Sequence, residues 1–394
     1  MPFEPPKSDS ELLAPSPKTP GKKRIVVVTG TRAEYGLLKP VIRAIIDHPL
    51  LEAAVVVSGS HLLAGTHAEV AADFRVAGIV PMQRPGAATR IDDALAVGAG
   101  VSRFARSYYK INADAVLVLG DRIEAFAAAA AASIGGVPLA HIHGGDRAEG
   151  IADEAMRHAI SKLAHLHFPA TPSSAERLRR MGENPQRVFM VGSPAIDGLR
   201  EFPELSDQAA SELGDPQLVI LLHPAGLEPG AERDHATAVV DFASATGRRV
   251  LMLAPNFDPG RENVLAVLKA AASSHGFRFQ EHLPRPQFVG LLKRLARHDG
   301  LIVGNSSAGL IEAAAVHCRS VNVGPRQAGR ETPPNVVTVP VPSAGAIAAA
   351  LASHQMPLSP IHPYGEGDSG PRIAAVLGET DLASADLLRK RCAY

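Results

Sequence analysis

The chain is 394 residues long, with 40 lysines and arginines set against 40 aspartates and glutamates. That length exceeds one ordinary core and favours two domains, and the balanced charge supplies no field to recruit nucleic acid or an anionic membrane. Two cysteines, Cys318 and Cys392, make neither a disulfide framework nor a zinc site. No apolar run spans a bilayer and the start lacks the order of a secretory signal, so a cytoplasmic protein is expected.

Residues 1–22 mix proline, serine and lysine without periodicity and are expected to be a disordered tail. The first strand, 24–29, reads RIVVVT, continuous and β-branched, as a strand buried on both faces should be. It ends in Gly30-Thr31-Arg32, and a helix is predicted over 37–46. A second strand at 53–58 closes in Gly59-Ser60-His61. Helices at 66–77 and 92–110 follow, with a short apolar piece near Ile79 between them.

The stretch 116–168 organises the first half. An apolar run ends in Gly120-Asp121-Arg122, an alanine-rich helix stops at Gly135-Gly136, and a second apolar run ends in His141-Ile142-His143-Gly144-Gly145-Asp146. An acidic turn, Asp153-Glu154, follows, and then a helix opening around Arg157-His158. Residues 187–191 are predicted as the last strand of this half.

A polar, proline-bearing stretch at 201–216 is the expected crossing between domains. The second half repeats the alternation: strands at 218–222, 249–253, 277–281, 300–303 and 320–323, with helices at 232–244, 261–274, 286–296 and 308–315. Helices near 344–352 and from 370 finish the chain. Alternation throughout means α/β with parallel sheets. The expected architecture is two Rossmann-like domains facing across a cleft, at 23–200 and 201–370, with 371–394 as a helix packing back on the first.

In open parallel sheets ligands sit beyond the carboxyl ends of the strands, which selects the residues at the tips. Asp121 is either a cap for the next helix or an acid/base group. His143, Asp146, Asp153, Glu154, Arg157 and His158 form the polar group expected to face it. His165 and His167 alternate within an apolar run and read as packing or edge residues, and no set of ligands has metal spacing. In the second half His223 precedes Pro224 at a strand tip. Gly304-Asn305-Ser306-Ser307 lies between a strand and a helix start, where unpaired N–H groups make an anion site, or where a serine merely caps the helix. Arg326 and Arg330 beside it complete a cradle suited to a diphosphate. Glu312 is placed to accept from vicinal ribose hydroxyls, or is a plain helix glutamate. Arg32 is a further cation at the first strand tip. The G-x-x-x-x-G-K loop of common ATP hydrolysis is missing.

In order, these pieces resemble the hydrolysing UDP-N-acetylglucosamine 2-epimerase family, whose members supply N-acetylmannosamine or related amino sugars. The motifs run from about 24 to 335: Gly30-Thr-Arg-Ala-Glu-Tyr35, Gly59-Ser-His61, Gly120-Asp-Arg122, His141-Ile-x-Gly-Gly145, Asp153-Glu154 with Arg157-His158, His223-Pro224, Pro255-Asn256, Gly304-Asn-Ser-Ser307, Glu312, and Arg326-Gln-x-Gly-Arg330. Alanine at 33, where non-hydrolysing relatives carry proline, is similar to the hydrolysing branch. Relatives commonly carry glutamate where Asp146 stands. The resemblance implies the GT-B-like twin-Rossmann fold, no cofactor, a nucleotide-sugar substrate and a homodimer or homotetramer. It implies acid/base roles for Asp121, Asp153, Glu154, His143, Asp146 and His223. Substrate binding would fall to Arg32, His61, Arg157, Asn256, Ser306, Ser307, Glu312, Arg326 and Arg330. Elimination of the diphosphate to a glycal, then hydration with inversion at C2, is the implied chemistry. A GT-B glycosyltransferase and a non-catalytic nucleotide-sugar sensor are the alternatives; the first needs an acceptor site, and the second has no use for Asp121 and Asp153.

Overall fold

A computed structural model of the chain describes residues 15–86, 89–148, 153–256 and 258–393, with the side chain of Asp153 outside that description. Among the described residues, twelve strands form two parallel sheets of six. The first holds β1 (Lys23–Thr29), β2 (Leu51–Ser58), β3 (Val76–Val80), β4 (Ala115–Leu119), β5 (Leu139–Ile142) and β6 (Leu166–Phe168), in the order β3-β2-β1-β4-β5-β6. The second holds β7 (Leu218–Leu221), β8 (Val250–Leu253), β9 (Arg278–Gln280), β10 (Leu301–Gly304), β11 (Arg319–Val323) and β12 (Val336–Val339), in the order β12-β11-β10-β7-β8-β9. Counted from its own first strand, each sheet is wound in the same doubly wound order, with a reversal between β1 and β4 and between β7 and β10.

Strand chemistry explains the layers. Ile25 and Val27 point into one apolar cluster and Val26 and Val28 into the other, all at most 1 % exposed. Both faces of β1 are therefore covered, and each such side chain contributes about 1.5–3 kcal/mol of burial. The alanine-rich helix Ile123–Ile134 lies close because its side chains are small: Gly100 on helix Arg90–Ile111 has room for no Cβ, since one would come within 2.9 Å of Ala127 Cβ.

Two compact units divide the chain. One comprises Met1–Gly145, Ala155–Pro194 and Ser369–Tyr394, and the other Asp146–Glu154 and Ala195–Asp368. The division thus falls at Pro194–Ala195 rather than within 201–216, and the loop from Asp146 groups with the second unit. Helix Ser369–Glu379 packs on helix Arg32–Asp47, where a Cβ at Gly370 would stand 2.9 Å from Pro40 O. Lys23 Nζ donates to Gly378 O and, at 2.8 Å, to Thr380 O, which fastens the end of that helix to the start of β1.

Four sequence expectations are corrected. Residues 15–22 are not a loose tail: Ser16 N donates to Lys110 O at 2.9 Å and Lys18 Nζ meets Asp114 Oδ1 at 2.6 Å. Residues 1–14 lie outside the described residues. Residues 187–191 form no strand; Pro185–Arg187 make a 3-10 turn, and Val188 touches His167 in an isolated bridge. The sixth strand is β6, hidden in the sequence by its histidine. His167 is buried there because its Nε2 lies 2.9 Å from Glu183 Oε2. The second series does not end at β11 but continues into β12. The expected helix at 308–315 is a 3-10 turn, Ser307–Gly309, followed by the single turn Glu312–Ala315. No described helix is long and apolar enough to cross a membrane.

Candidate functional site

In the first unit the residues of interest gather at the tips of β1, β4 and β5. Asp121 follows Gly120, whose φ of 76° lets the chain turn sharply off β4. Its carboxylate accepts from Arg157 Nη2, and the Arg157 side chain is only 2 % exposed while that of Asp121 is 19 % exposed. Arg157, expected on substrate, is therefore the buried partner of Asp121. His141 Nε2 lies 2.7 Å from Gly120 O, and Nδ1 lies 3.2 Å from Ser161 Oγ, so this ring ties β5 to the β4 tip. A carbonyl only accepts, so Nε2 carries the proton.

His143 sits just past β5 with φ 64°, a left-handed backbone that is rare outside glycine. Its N–H donates to Phe168 O at 3.1 Å and its Nε2 lies 2.9 Å from Ser193 Oγ, which fixes the ring against the end of the unit. Arg177 Nη1 donates to Gly145 O and holds the following turn.

Other expected residues are engaged elsewhere. His61 is fully buried, with Nε2 3.1 Å from Thr29 Oγ1 and Nδ1 2.8 Å from Thr66 Oγ1. Burial holds its pKa down to about 4, so it is a neutral packing residue, a correction to its expected role on substrate. Arg32 Nε donates to Glu69 Oε2 at 2.9 Å.

Sequence reasoning missed two acids at this tip. Glu34 is buried and accepts from Gly30 N at 2.8 Å; desolvation, with a smaller push from Glu124, raises its pKa to about 8. Glu124 is 1 % exposed, and neither carboxylate oxygen accepts a hydrogen bond from the described residues. Its nearest cation is Arg122 Nε at 3.5 Å. Gly30 and Gly59 make room for it, since a Cβ at Gly59 would fall 2.1 Å from Glu124 Oε1. The signal available was Gly-Asp-Arg-x-Glu, in which the glutamate lies on the first turn of a helix and turns back over the strand tips.

The second unit carries the loop Asp146–Glu154 and the tips of β7, β8, β10 and β11. Asp146 is 4 % exposed, and Glu154 Oε2 accepts from Ala148 N at 2.8 Å. Arg330 Nε donates to Arg147 O at 3.4 Å, which fastens the same loop. Burial raises the pKa of the Tyr364 hydroxyl, and the charges of Asp146 and Glu312 push it the same way.

Asn305 organises the β7/β10 reversal. Its Oδ1 accepts from His223 N and its Nδ2 donates to His223 O, both at 2.8 Å. Its own carbonyl accepts from Gln327 Nε2 at 2.9 Å and Arg326 Nη1 at 3.3 Å. Arg326 Nη2 lies 3.7 Å from Asp258 Oδ2, which also accepts from Asn256 Nδ2. His223 Nδ1 accepts from Asn256 N at 3.1 Å. Burial first, then the Arg326 charge, pulls its pKa down to about 3, so the ring is neutral with its proton on Nε2. His223, Asn256 and Arg326 are thus brought together around Asn305.

Ser306 Oγ accepts from Ala308 N at 3.4 Å, the capping alternative, and the broken helix behind it supplies little dipole. Glu312 lies 3.4 Å from Arg285 Nη1. The neutral His223 ring, Arg326 and the Ser306 hydroxyl next to Asn305 are donors of the kind suited to phosphate oxygens, while Asp121 in the first unit is a carboxylate suited to moving a proton.

Known proteins fit this geometry. A family model described as UDP-N-acetylglucosamine 2-epimerase matches residues 43–378. The UDP-N,N'-diacetylbacillosamine 2-epimerase (hydrolyzing) of Legionella pneumophila is 35 % identical over 383 residues, 94 % of this chain and 100 % of that protein. A UDP-N-acetylglucosamine 2-epimerase of Neisseria meningitidis is 31 % identical over 328 residues, covering 80 % of this chain and 83 % of that one. Among solved structures, the Methanocaldococcus jannaschii UDP-GlcNAc 2-epimerase in complex with UDP-GlcNAc and UDP superposes with TM-score 0.78 at 18 % identity, over 91 % of this chain and 100 % of that one, a likeness of fold. With the matched span, the twin sheets and the motif residues at the strand tips all in hand, the chain belongs to the UDP-N-acetylglucosamine 2-epimerase family.

Proposed function

We propose that the protein is a hydrolysing 2-epimerase of a UDP-linked 2-acetamido sugar, releasing the free 2-epimer and UDP. UDP-N,N'-diacetylbacillosamine is the first substrate to test and UDP-N-acetylglucosamine the second; full-length similarity to the Legionella enzyme supports the order. The observation that carries the reading is Asp121, a carboxylate at a strand tip held by the buried Arg157.

The C2 hydrogen has no neighbouring carbonyl and becomes acidic only as the C1–O bond breaks. Negative charge then grows on the departing diphosphate, and donors already in place there lower the barrier. Arg326, the His223 Nε2–H, Arg330 and the Ser306 and Ser307 hydroxyls take that role, with Asn256 holding the His223 ring and Glu312 receiving ribose hydroxyls. Asp121 takes the C2 proton, leaving a glycal with a C1–C2 double bond. Water adds hydroxide at C1 while a proton returns to C2 from the opposite face. Asp146, Asp153, Glu154 and His143 are the groups proposed to deliver it. The sugar gains one water and loses UDP, with no redox change and no cofactor. The assembly is proposed as a homodimer and the setting as cytoplasmic.

Incubation with each UDP-sugar in deuterated water tests the reading. Free sugar carrying deuterium at C2, with stoichiometric UDP, is expected. UDP-sugar returned as its 2-epimer, still nucleotide-bound, would place the protein in the non-hydrolysing branch.

A further inference from the structure

Helix Asp153–Leu163 carries Arg157 and, one turn later, Ser161 on the same face. Ser161 is fully buried. Its hydroxyl oxygen lies 3.2 Å from His141 Nδ1 and 3.0 Å from Arg157 O, and its proton goes to the ring nitrogen, which carries none. The same ring donates through Nε2 to Gly120 O, the carbonyl just before Asp121. A Cβ at Gly144 would come within 2.9 Å of His141 Nδ1 and 3.0 Å of Ser161 Oγ, so the turn after β5 closes over this contact. Helix and strand tips are thus joined twice, by Arg157 on Asp121 and by Ser161 on His141.

The carboxyl end of that helix is held from the last segment of the chain. Carbonyls in a last helical turn have no partner within the helix, and a cation there also suits the helix dipole. Lys390 Nζ donates to Ser161 O at 2.9 Å and to Ala164 O, and lies 2.6 Å from Glu183 Oε2. Glu183 is 2 % exposed and also meets Lys162 Nζ at 2.8 Å and His167 Nε2 at 2.9 Å. Burial raises its pKa, but His167 and the two lysines outweigh that and hold it down to about 2, so it stays ionised. Lys390 is itself fixed by its neighbours: Leu387 belongs to the cluster of β1, and Ala393 N donates to Gly182 O at 2.8 Å.

We infer that Lys390 is a positioning residue for the proposed reaction: by clamping the carboxyl end of this helix it sets where Arg157 holds Asp121. That role rests on Asp121 as the group that takes the C2 proton, and Lys390 acts on it only through Ser161 and Arg157. Lys390→Met removes the ammonium while Glu183 keeps Lys162 and His167, so the fold and its far-UV spectrum should survive. With the UDP-sugar that the parent hydrolyses, kcat should fall roughly 10–10²-fold, the cost of a misplaced group, with KM within about twofold. Deuterium at C2 of the sugar separates this from a smaller active fraction. Slower C2–H cleavage raises the isotope effect on kcat towards its full value, whereas loss of active protein leaves it at the parent value. Lys390→Arg keeps a cation of similar reach and should recover most of the rate. Ser161→Ala should also lower kcat, and the double variant should be no slower than the slower single one, because both cut one path. Asp386→Asn loosens the same segment at Arg187, 3.1 Å away, without touching the helix, and should match the parent. A parent-like kcat in Lys390→Met, or a lowered one with the isotope effect unchanged, overturns the role of Lys390 and leaves the epimerase reading standing. A parent that releases no sugar sinks that reading instead.

Discussion

Asp121 and Arg157 are the pair on which the proposed chemistry turns. The guanidinium is buried and the carboxylate keeps 19 % of its surface exposed, so the acid can act while its partner stays fixed. Replacing Asp121 by Asn keeps shape and removes the proton acceptor. Nucleotide affinity should hold, sugar release should fall by roughly 10²–10⁴, the span of general acid–base effects, and stability should drop by about 1.5–3 kcal/mol with the charged hydrogen bond. Isothermal titration with UDP, product release and a urea melt separate the three, and full turnover by the variant removes Asp121 from the mechanism. Glu124 poses a different question, since its carboxylate is buried 3.5 Å from Arg122 Nε and accepts no hydrogen bond from the described residues. Glu124→Gln removes one push on Glu34, whose pKa of about 8 lies above its ordinary 4.5 mainly through desolvation. A raised carboxyl gives stability that is complete below pH 4.5 and lost as pH rises through 8. The variant should therefore lose less stability between pH 6 and 8 than the parent; equal slopes would show that Glu124 does not act on Glu34.

At the level of elements, the reversals between β1 and β4 and between β7 and β10 put the motif residues at the strand tips. Gly304 shows how tight one reversal is: its φ is 156° and a Cβ would fall 1.9 Å from Leu221 O, inside the neighbouring strand. Gly304→Ala must part β10 from β7, breaking the bonds of Asn305 to His223 as well. Loss of the cooperative melt of the second unit is expected, and a native-like amide-exchange pattern at Leu221 and Ile302 would refute it. The carboxyl-terminal segment is a second structural dependency. Ile373, Ala374, Leu377, Leu382 and Leu387 belong to the same cluster as β1. Ending the chain at Asp368 should therefore leave the first unit unfolded, with bound dye and lost exchange protection as the readout. The sequence announced most of this order because β-branched runs and glycine-rich tips are local signals. It concealed β6 and β12 for physical reasons: a histidine inside a strand looks polar until Glu183 satisfies it, and Pro333-Pro334 before Val336 resembles a loop. Candidate site residues could be named by type and position in the motif. Their partners could not, because Arg157 on Asp121, Arg285 on Glu312 and the threonines on His61 come from segments distant in sequence or from unremarkable residues.

Across the whole molecule, buried histidines set how stability responds to acid. In the first unit His61 and His165 both have pKa values held near 4 by burial, and that of His167 is also lowered by burial against the pull of Glu183. His165 Nδ1 accepts from Leu139 N at 3.0 Å, so protonation there destroys a bond to β5 as well as burying a charge. Unfolded, all three take up a proton below about pH 6.5. The unfolded chain therefore binds more protons between pH 6.5 and 4, and stability falls as pH falls through that window. Each group shifted by two units or more is worth up to about 3 kcal/mol, at 1.36 kcal/mol per unit. Glu34 acts with the opposite sign, favouring the fold at low pH and losing that contribution towards pH 8. On the acid side His61, His165 and His167 together outweigh Glu34, whose opposing contribution continues towards pH 8. The stability of the first unit should thus peak near pH 6.5–7, fall steeply to pH 4.5 and decline gently to pH 8. Amide exchange of β1 and β5 across that range follows this unit separately from the other. A profile flat from pH 7 to 4.5 would mean that these rings are protonated in the folded protein, and that the threonine and backbone contacts assigned to them here are wrong.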